Sequence, residues 1–199
     1  MISAVLLAAG LSSRMNGENK LTKEIDGIPL IKYAVKNILG SSVNEIIIVL
    51  GHEEDTIRKL IEKNKKIKII YNKDYKNGIA SSIIAGIKNI SDHSEAFFIS
   101  LGDMPDVNQN IYNKLIKARS NYNKKLEPSY KKEIIIPTYE NRNGNPILFS
   151  KFMKKKIVNI TGDLGAKEII DLNKNKILNV PFNSRSVVLD FDTKDDFEV

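Results

Sequence analysis

Four apolar runs of strand length, Ile2–Ala8, Glu45–Gly51, Ile67–Tyr71 and Ala96–Gly102, alternate along this chain with segments whose apolar residues recur at helical spacing. A strand that is apolar at nearly every position finds full burial only in a parallel sheet covered on both faces. The intervening segments supply the cover. After Pro29, in a first helical turn, Leu30, Ile31, Ala34, Val35 and Ile38 form one stripe that stops at Gly40. Glu54–Lys63 turns Ile57, Leu60 and Ile61 inward, and Ala80–Ile90 does the same with Ile83, Ile84 and Ile87. This alternation predicts an α/β fold: a doubly wound, mostly parallel sheet flanked by helices, with right-handed crossovers.

The second half is less regular. It reads as a helix over Gln109–Ala118, strands at Glu133–Pro137 and Pro146–Phe149, helices at Ser150–Lys156 and Leu164–Leu172, and short strands at Ile177–Val180 and Val187–Phe191. Arg119–Lys132, rich in Asn, Lys and Ser, is expected to be a mobile loop. A length of 199 residues suits one core, so residues 1–199 are expected to form a single domain.

The net charge of +7 invites an anionic partner, but the lysines are scattered and no helix-turn-helix, zinc-knuckle or RNP-like pattern accompanies them, so no nucleic-acid partner is expected. Cysteine is absent, which removes disulfides, thiolate metal sites and cysteine nucleophiles together. The run Ile2–Ala9 has no Lys or Arg before it and no membrane-length apolar stretch after it. The expectation is a cytoplasmic protein with no membrane partner.

In open α/β sheets ligands collect beyond the carboxyl ends of the strands, and the polar clusters of this chain fall there. In "LLAAGLSSRMNGENKL", Leu6 to Leu21, an apolar run breaks into Gly10, Ser12, Ser13, Arg14, Gly17 and Lys20. Exposed backbone N–H groups with two cations suit a polyphosphate. The loop is neither a Walker sequence nor a G-x-G-x-x-G dinucleotide fingerprint. "LGDMP" sets Asp103 at the same sheet edge, where a carboxylate with phosphate oxygens can hold Mg²⁺. "LDFDTKDDFE" offers Asp190 and Asp192 on one face of an extended segment, either of them able to approach Asp103; the same residues equally read as an N-cap opening a short C-terminal helix. His52, Arg142, Tyr71 and Tyr75 are weaker candidates for the cleft, and His93 reads as a turn residue.

The ordered set "LAAGLSSRM…NKL", "NGIASSI", "LGDMP", "NGNPILF", "TGDLGAKEII" and "DFDTKDDFE" resembles the molybdenum cofactor cytidylyltransferases within the wider MobA-like nucleotidyltransferase group, over nearly the whole chain. The resemblance implies a Rossmann-like fold of the nucleotide-diphospho-sugar transferase type and transfer of CMP from Mg-CTP to the terminal phosphate of the molybdopterin cofactor, releasing pyrophosphate. It implies CTP and that cofactor as substrates, Mg²⁺ as cofactor, and a transient contact with a receiving molybdoenzyme. Nucleotide binding would fall to Leu7, Ala8, Ala9, Gly10, Ser12, Ser13, Arg14, Lys20, Gly78, Ser81, Ser82 and Asp103. Of these Arg14, Lys20 and Asp103 would be catalytic, with Asp103 and Asp192 as metal ligands. Asn143, Gly144, Asn145 and Pro146 on one side, and Gly162, Asp163, Gly165, Ala166 and Lys167 on the other, would form the acceptor pocket.

Two positions depart from the pattern: Lys167 stands where the family commonly has arginine, and Lys194 replaces a usual proline. Ala9 stands where guanine-using relatives tend to have glycine, and its Cβ narrows the space beside the base, which favours CTP over GTP. Alternatives are a guanylyltransferase, a sugar- or polyol-phosphate nucleotidyltransferase, or a non-catalytic pterin or nucleotide carrier. Retention of Asp103, Asp192 and Lys20 favours an enzyme over a carrier.

Overall fold

The computed structural model describes residues 1–12, 15, 18–124, 126–162 and 165–197. In chain order the elements are β1 (Ile2–Ala8), a hairpin of β2 (Glu24–Ile25) and β3 (Ile28–Pro29), α1 (Leu30–Leu39), β4 (Glu45–Leu50), α2 (Glu54–Leu60), β5 (Ile67–Tyr71), α3 (Ile79–Lys88) and β6 (Ala96–Leu101). There follow α4 (Gln109–Asn123), β7 (Ile134–Tyr139), β8 (Arg142–Asn143), β9 (Ile147–Ser150), α5 (Lys154–Ile157), α6 (Lys167–Leu172) and β10 (Ile177–Pro181).

β1 sits in the middle, parallel to β4 on one edge and to β6 on the other, with Leu6 level with both Ile48 and Ser100. The row runs β10-β7-β9-β6-β1-β4-β5, and β8 pairs with β7 off that row. β9 is antiparallel to both β6 and β7; β10 and β7 are parallel. The sheet is therefore mixed and mostly parallel, as the alternation of apolar runs predicts. Successive residues of β1 enter opposite layers. Ala4, Leu6 and Ala8 pack with the α1, α2 and α4 side, whereas Val5, Leu7 and Ala9 pack with α3, α5 and α6. Among the described residues no helix is long and apolar enough to cross a membrane.

Several boundaries differ from the sequence reading. α2 stops at Leu60, because Ile61 is extended and its N–H closes on the Arg58 carbonyl. α4 continues to Asn123, five residues into the stretch expected to be a mobile loop. The Asn123 side chain then donates to the Lys132 carbonyl and accepts from its N–H, both at 2.9 Å, and closes the connection from α4 to β7. The helix expected over Ser150–Lys156 is a 3₁₀ turn, Lys151–Met153, followed by one turn of α5. α6 begins at Lys167, and Leu164, the expected start, lies outside the described residues.

The final expected strand is a correction. Arg185–Val187 is a 3₁₀ turn, and residues 188–193 are irregular. Their backbone groups bond to loops instead of to a ladder: the Val187 carbonyl accepts from Asn145 N–H at 2.7 Å, and Phe191 N–H donates to the Asp103 carbonyl at 2.9 Å. Loop docking thus buries Val187 and half-buries Val188, Leu189 and Phe191.

α3 seats closely on the sheet through Gly86, where an added Cβ would lie 2.2 Å from Val5 Cγ1. Gly→Ala in a helix normally adds ~1 kcal/mol of stability. Overpacking a closed core costs ~1–3 kcal/mol and acts in the opposite direction. Gly86→Ala is expected to lower the urea midpoint with the urea m-value unchanged; a raised midpoint would contradict this seating.

Candidate active site

The break after β1 delivers a lysine. Gly10 is exposed, and Ser12 adopts φ 50, a left-handed backbone that non-glycine residues seldom take. Ser12 Oγ accepts the Lys20 backbone N–H at 3.1 Å. The buried Asn19 caps the turn Lys20–Thr22: its Oδ1 accepts from Leu21 N–H at 3.1 Å, and its Nδ2 donates to the His52 carbonyl at 3.4 Å. Lys20 is thereby fixed at its backbone by the loop it closes.

Its side chain meets two carboxylates. Lys20 Nζ donates to Asp103 Oδ2 and to Asp192 Oδ1, each at 2.5 Å. Asp103 lies just beyond the end of β6, after Gly102, and the Phe191 N–H bond to its carbonyl clips the C-terminal segment beside it. Asp196 completes the clip by accepting from the N–H groups of Asp192 and Thr193 at 2.9 and 2.7 Å. Of the two readings of "DTKDDFE", the approach to the cleft holds, since Asp192 reaches Lys20. The chain end does turn, as a 3₁₀ turn over Lys194–Phe197, but the carboxylate that takes the N–H groups of Asp192 and Thr193 is Asp196 from within that turn, not Asp190 or Asp192 as an N-cap.

The electrostatics follow from this crowding. Burial, the largest influence on Lys20, favours loss of its proton, yet the charges and hydrogen bonds of Asp103 and Asp192 together outweigh it and raise the pKa above the ordinary lysine value. Burial, followed by the charges of Asp192 and Asp103, raises the Asp190 carboxyl, against smaller opposing effects of its own backbone and Lys20. The N–H groups of Thr193 and Asp192 hold Asp196 below the usual carboxylate range.

Asp103, Asp190 and Asp192 each place one oxygen within 4.8 Å of the others. Among the described residues, Asp103 Oδ1 is buried with no hydrogen-bond partner, an arrangement that a cation would satisfy. Hard carboxylate oxygens without nitrogen or sulfur suit Mg²⁺ or Mn²⁺.

Beside the acids lies a cleft of about 390 Å³, at the point where the strand order turns about β1. Leu7, Ala8, Ala9, Gly10, Ser12, Lys20, Gly78, Ser82, Asp103 and Asp192 line it, all of them singled out in the sequence. Its side wall is tight: a Cβ at Gly51 would lie 2.6 Å from Tyr75 Cβ and 2.8 Å from Ala9 Cβ. The buried Asn72 holds the segment that bears Tyr75, donating to Ser81 Oγ at 2.9 Å and to Ser82 Oγ at 3.0 Å and accepting from Asp74 N–H at 3.1 Å.

Ser81 lies outside the cleft lining. Its hydroxyl accepts from Asn72 and donates to the carbonyl of Asp74 or Gly78, each 2.9 Å away, so it braces the loop. The described residues of the expected acceptor pocket also lie outside that lining. Gly144 and Asn145 dock on Val187 and Asn143 pairs with Thr138 in the β7–β8 ladder, whereas Gly162 accepts from Ala80 N–H at 3.1 Å and Gly165 rests against Ile79, beside the cleft's edge. Lys167 is exposed at the first position of α6. Ser13, Arg14, Gly17 and Asp163 lie outside the described residues. His52, Tyr71 and Arg142 do not line the cleft, but Tyr75 does. Sequence reasoning passed over Lys76 and Ile79 in the lining, and Asn72 behind it; the Asx turn in "YNKDY" is the signal that marks Asn72.

The family model for the MobA-like NTP transferase domain matches residues 4–177. The chain belongs to this family. It is a nucleotidyltransferase, and a nucleoside triphosphate is the substrate that membership implies. The chain is 26% identical, over 98% of its length and 93% of the relative's, to the molybdenum cofactor cytidylyltransferase of Escherichia coli strain K12. A partial match, 31% identical, links 51% of the chain to 22% of the bifunctional protein GlmU of Aquifex aeolicus. The fold is that of Rv0371c from Mycobacterium tuberculosis H37Rv, with a TM-score of 0.83, 19% identity and coverage of 99% and 95% of the two chains. Another structure of Rv0371c is a complex with manganese, with a TM-score of 0.78, 18% identity and coverage of 99% and 96%.

The tight wall yields a prediction. Gly51→Ala must push Tyr75 and Ala9 apart, so KM for the nucleotide should rise about tenfold, as a strain of ~1.4 kcal/mol would give, with kcat changed far less. Steady-state kinetics with varied nucleotide reads the split, and an unchanged KM would place the nucleotide away from this wall.

Proposed function

We propose that the protein transfers CMP from CTP to the terminal phosphate of the molybdopterin cofactor and releases pyrophosphate. The observation that carries this reading is the Lys20 bridge between Asp103 and Asp192 at the mouth of a cleft on the sheet's switch point. Similarity to a cytidylyltransferase over 98% of the chain supports the choice of substrates.

The backbone N–H groups of Gly10–Ser12 would wrap the triphosphate, and Lys20, with Arg14, would neutralise it. Ala9 and Tyr75 border the space for the base, and Ser82 offers a hydroxyl there. An oxygen of the acceptor phosphate attacks the α-phosphorus in line. As that P–O bond forms, the bond from the α-phosphorus to the bridging oxygen breaks, and pyrophosphate leaves with the electron pair. No covalent enzyme intermediate is needed. Asp103 and Asp192, with Asp190 beside them, would hold Mg²⁺, which supplies charge neutralisation at the α-phosphate. The manganese complex of a structural relative supports a divalent ion. Gly162, Gly165 and Lys167 on one side and Asn143–Pro146 on the other would receive the pterin phosphate.

Pyrophosphate release with Mg²⁺, each of the four common nucleoside triphosphates and a phosphorylated pterin tests the reading. CTP should give the highest kcat/KM, and Ala9→Gly should relax discrimination against GTP. A parent that prefers GTP contradicts the cytidylyl assignment; transfer only to sugar or polyol phosphates contradicts the acceptor. Asp103→Asn should fold normally and lose turnover by about a hundredfold or more, the scale of losing one transition-state charge contact.

A further inference from the structure

We infer that Lys20 and a divalent cation compete for the Asp103–Asp192 pair, and that Lys20 yields the pair to the cation by moving its ammonium onto the nucleotide's phosphates. The inference rests on the nucleotidyl-transfer reading and adds an order to it: the cation binds strongly only together with the triphosphate.

The geometry sets up the competition. One ammonium donates to both carboxylates at 2.5 Å, so Asp103 Oδ2 and Asp192 Oδ1 are both engaged. Asp103 Oδ1 is buried and without a hydrogen-bond partner among the described residues, and a cation bound there would share its carboxylate with Lys20. Two positive groups drawing on the same carboxylates weaken each other. Only the side chain needs to move, because the Lys20 backbone is bonded to Ser12 and lies in the turn that Asn19 caps. Its destination is close, since Lys20 lines the same cleft as Gly10, Leu11 and Ser12, whose loop faces the phosphates in the proposed complex. Lysine suits the exchange: its ammonium is a point charge on a flexible stem, whereas arginine's planar fork would favour one fixed pairing.

One substitution should therefore move two affinities in opposite directions, a signature that loss of structure does not produce. Mn²⁺ titration of the full chain without nucleotide, followed by electron paramagnetic resonance of the free ion, should show Lys20→Met binding the ion about ten- to a hundredfold more tightly than the parent, the usual range of coupling between two ligands. Calorimetry in EDTA should show the same variant binding CTP more weakly than the parent, with CMP affected far less. Lys20→Gln, which keeps a hydrogen-bond donor, reads the same two affinities should Lys20→Met fold poorly. Adding Asp103→Asn to either variant should abolish the gain in Mn²⁺ affinity.

Unchanged or weaker Mn²⁺ binding in both Lys20 variants overturns the inference. A gain that survives Asp103→Asn, or CTP binding in EDTA indifferent to Lys20, also overturns it. A parent that releases no pyrophosphate with any nucleoside triphosphate overturns the proposed transfer instead, and the Mn²⁺ titration still decides whether Lys20 and the ion compete.

Discussion

Two-sided burial of β1 is the constraint from which the rest of the structure follows. Ala4, Leu6 and Ala8 are closed off on one face, Val5 and Leu7 on the other, and β4 and β6 occupy both edges. A strand so enclosed has no room for chemistry along its length. Polar function begins where the enclosure stops, after Ala8, and the sheet changes direction about this strand, so its end opens onto a crevice between neighbouring loops. Gly10 and Ser12, which follow, offer backbone donors there, and Lys20 returns to close the loop.

The acidic half of the site depends on a different device. Asp103 is carried by β6, but Asp190 and Asp192 come from the far end of the chain, where no strand holds them. The backbone bond from Phe191 N–H to the Asp103 carbonyl and the turn closed by Asp196 help set them in place. The carboxylates thus gather through loop docking, and their mutual repulsion is offset by Lys20. Structure and site are coupled at this point: the ion pairs that hold the C-terminal segment are made by the same groups that suit a metal and a polyphosphate.

Much of the fold was legible because two-sided burial writes itself into sequence as unbroken apolar runs. β1, β4, β5 and β6 and the apolar stripes of α1 and α3 could be read directly, as could Lys20 and Asp103 at the sheet edge. Less was legible where side chains, not periodicity, decide. The hairpin of β2 and β3 has two residues per strand, too few for any pattern. The end of α4 is polar and gives no stripe, and "VVLDF" is an apolar run of strand length although its backbone bonds to loops. Ser81 and Ser82 looked equivalent in "IASSI"; the step of about 100° between neighbouring helical residues sends the first to Asp74 and Gly78 and leaves the second in the cleft.

The central claim is that Asp103 and Asp192 hold a divalent ion against a triphosphate seated on the loop after β1. Anomalous diffraction from crystals grown with Mn²⁺ and CTP tests it most directly. The account predicts an anomalous peak bonded to Asp103 and Asp192, with the triphosphate along Gly10–Ser12 and the base beside Ala9 and Tyr75. Manganese bound away from both aspartates, or a triphosphate seated outside that loop, would contradict it.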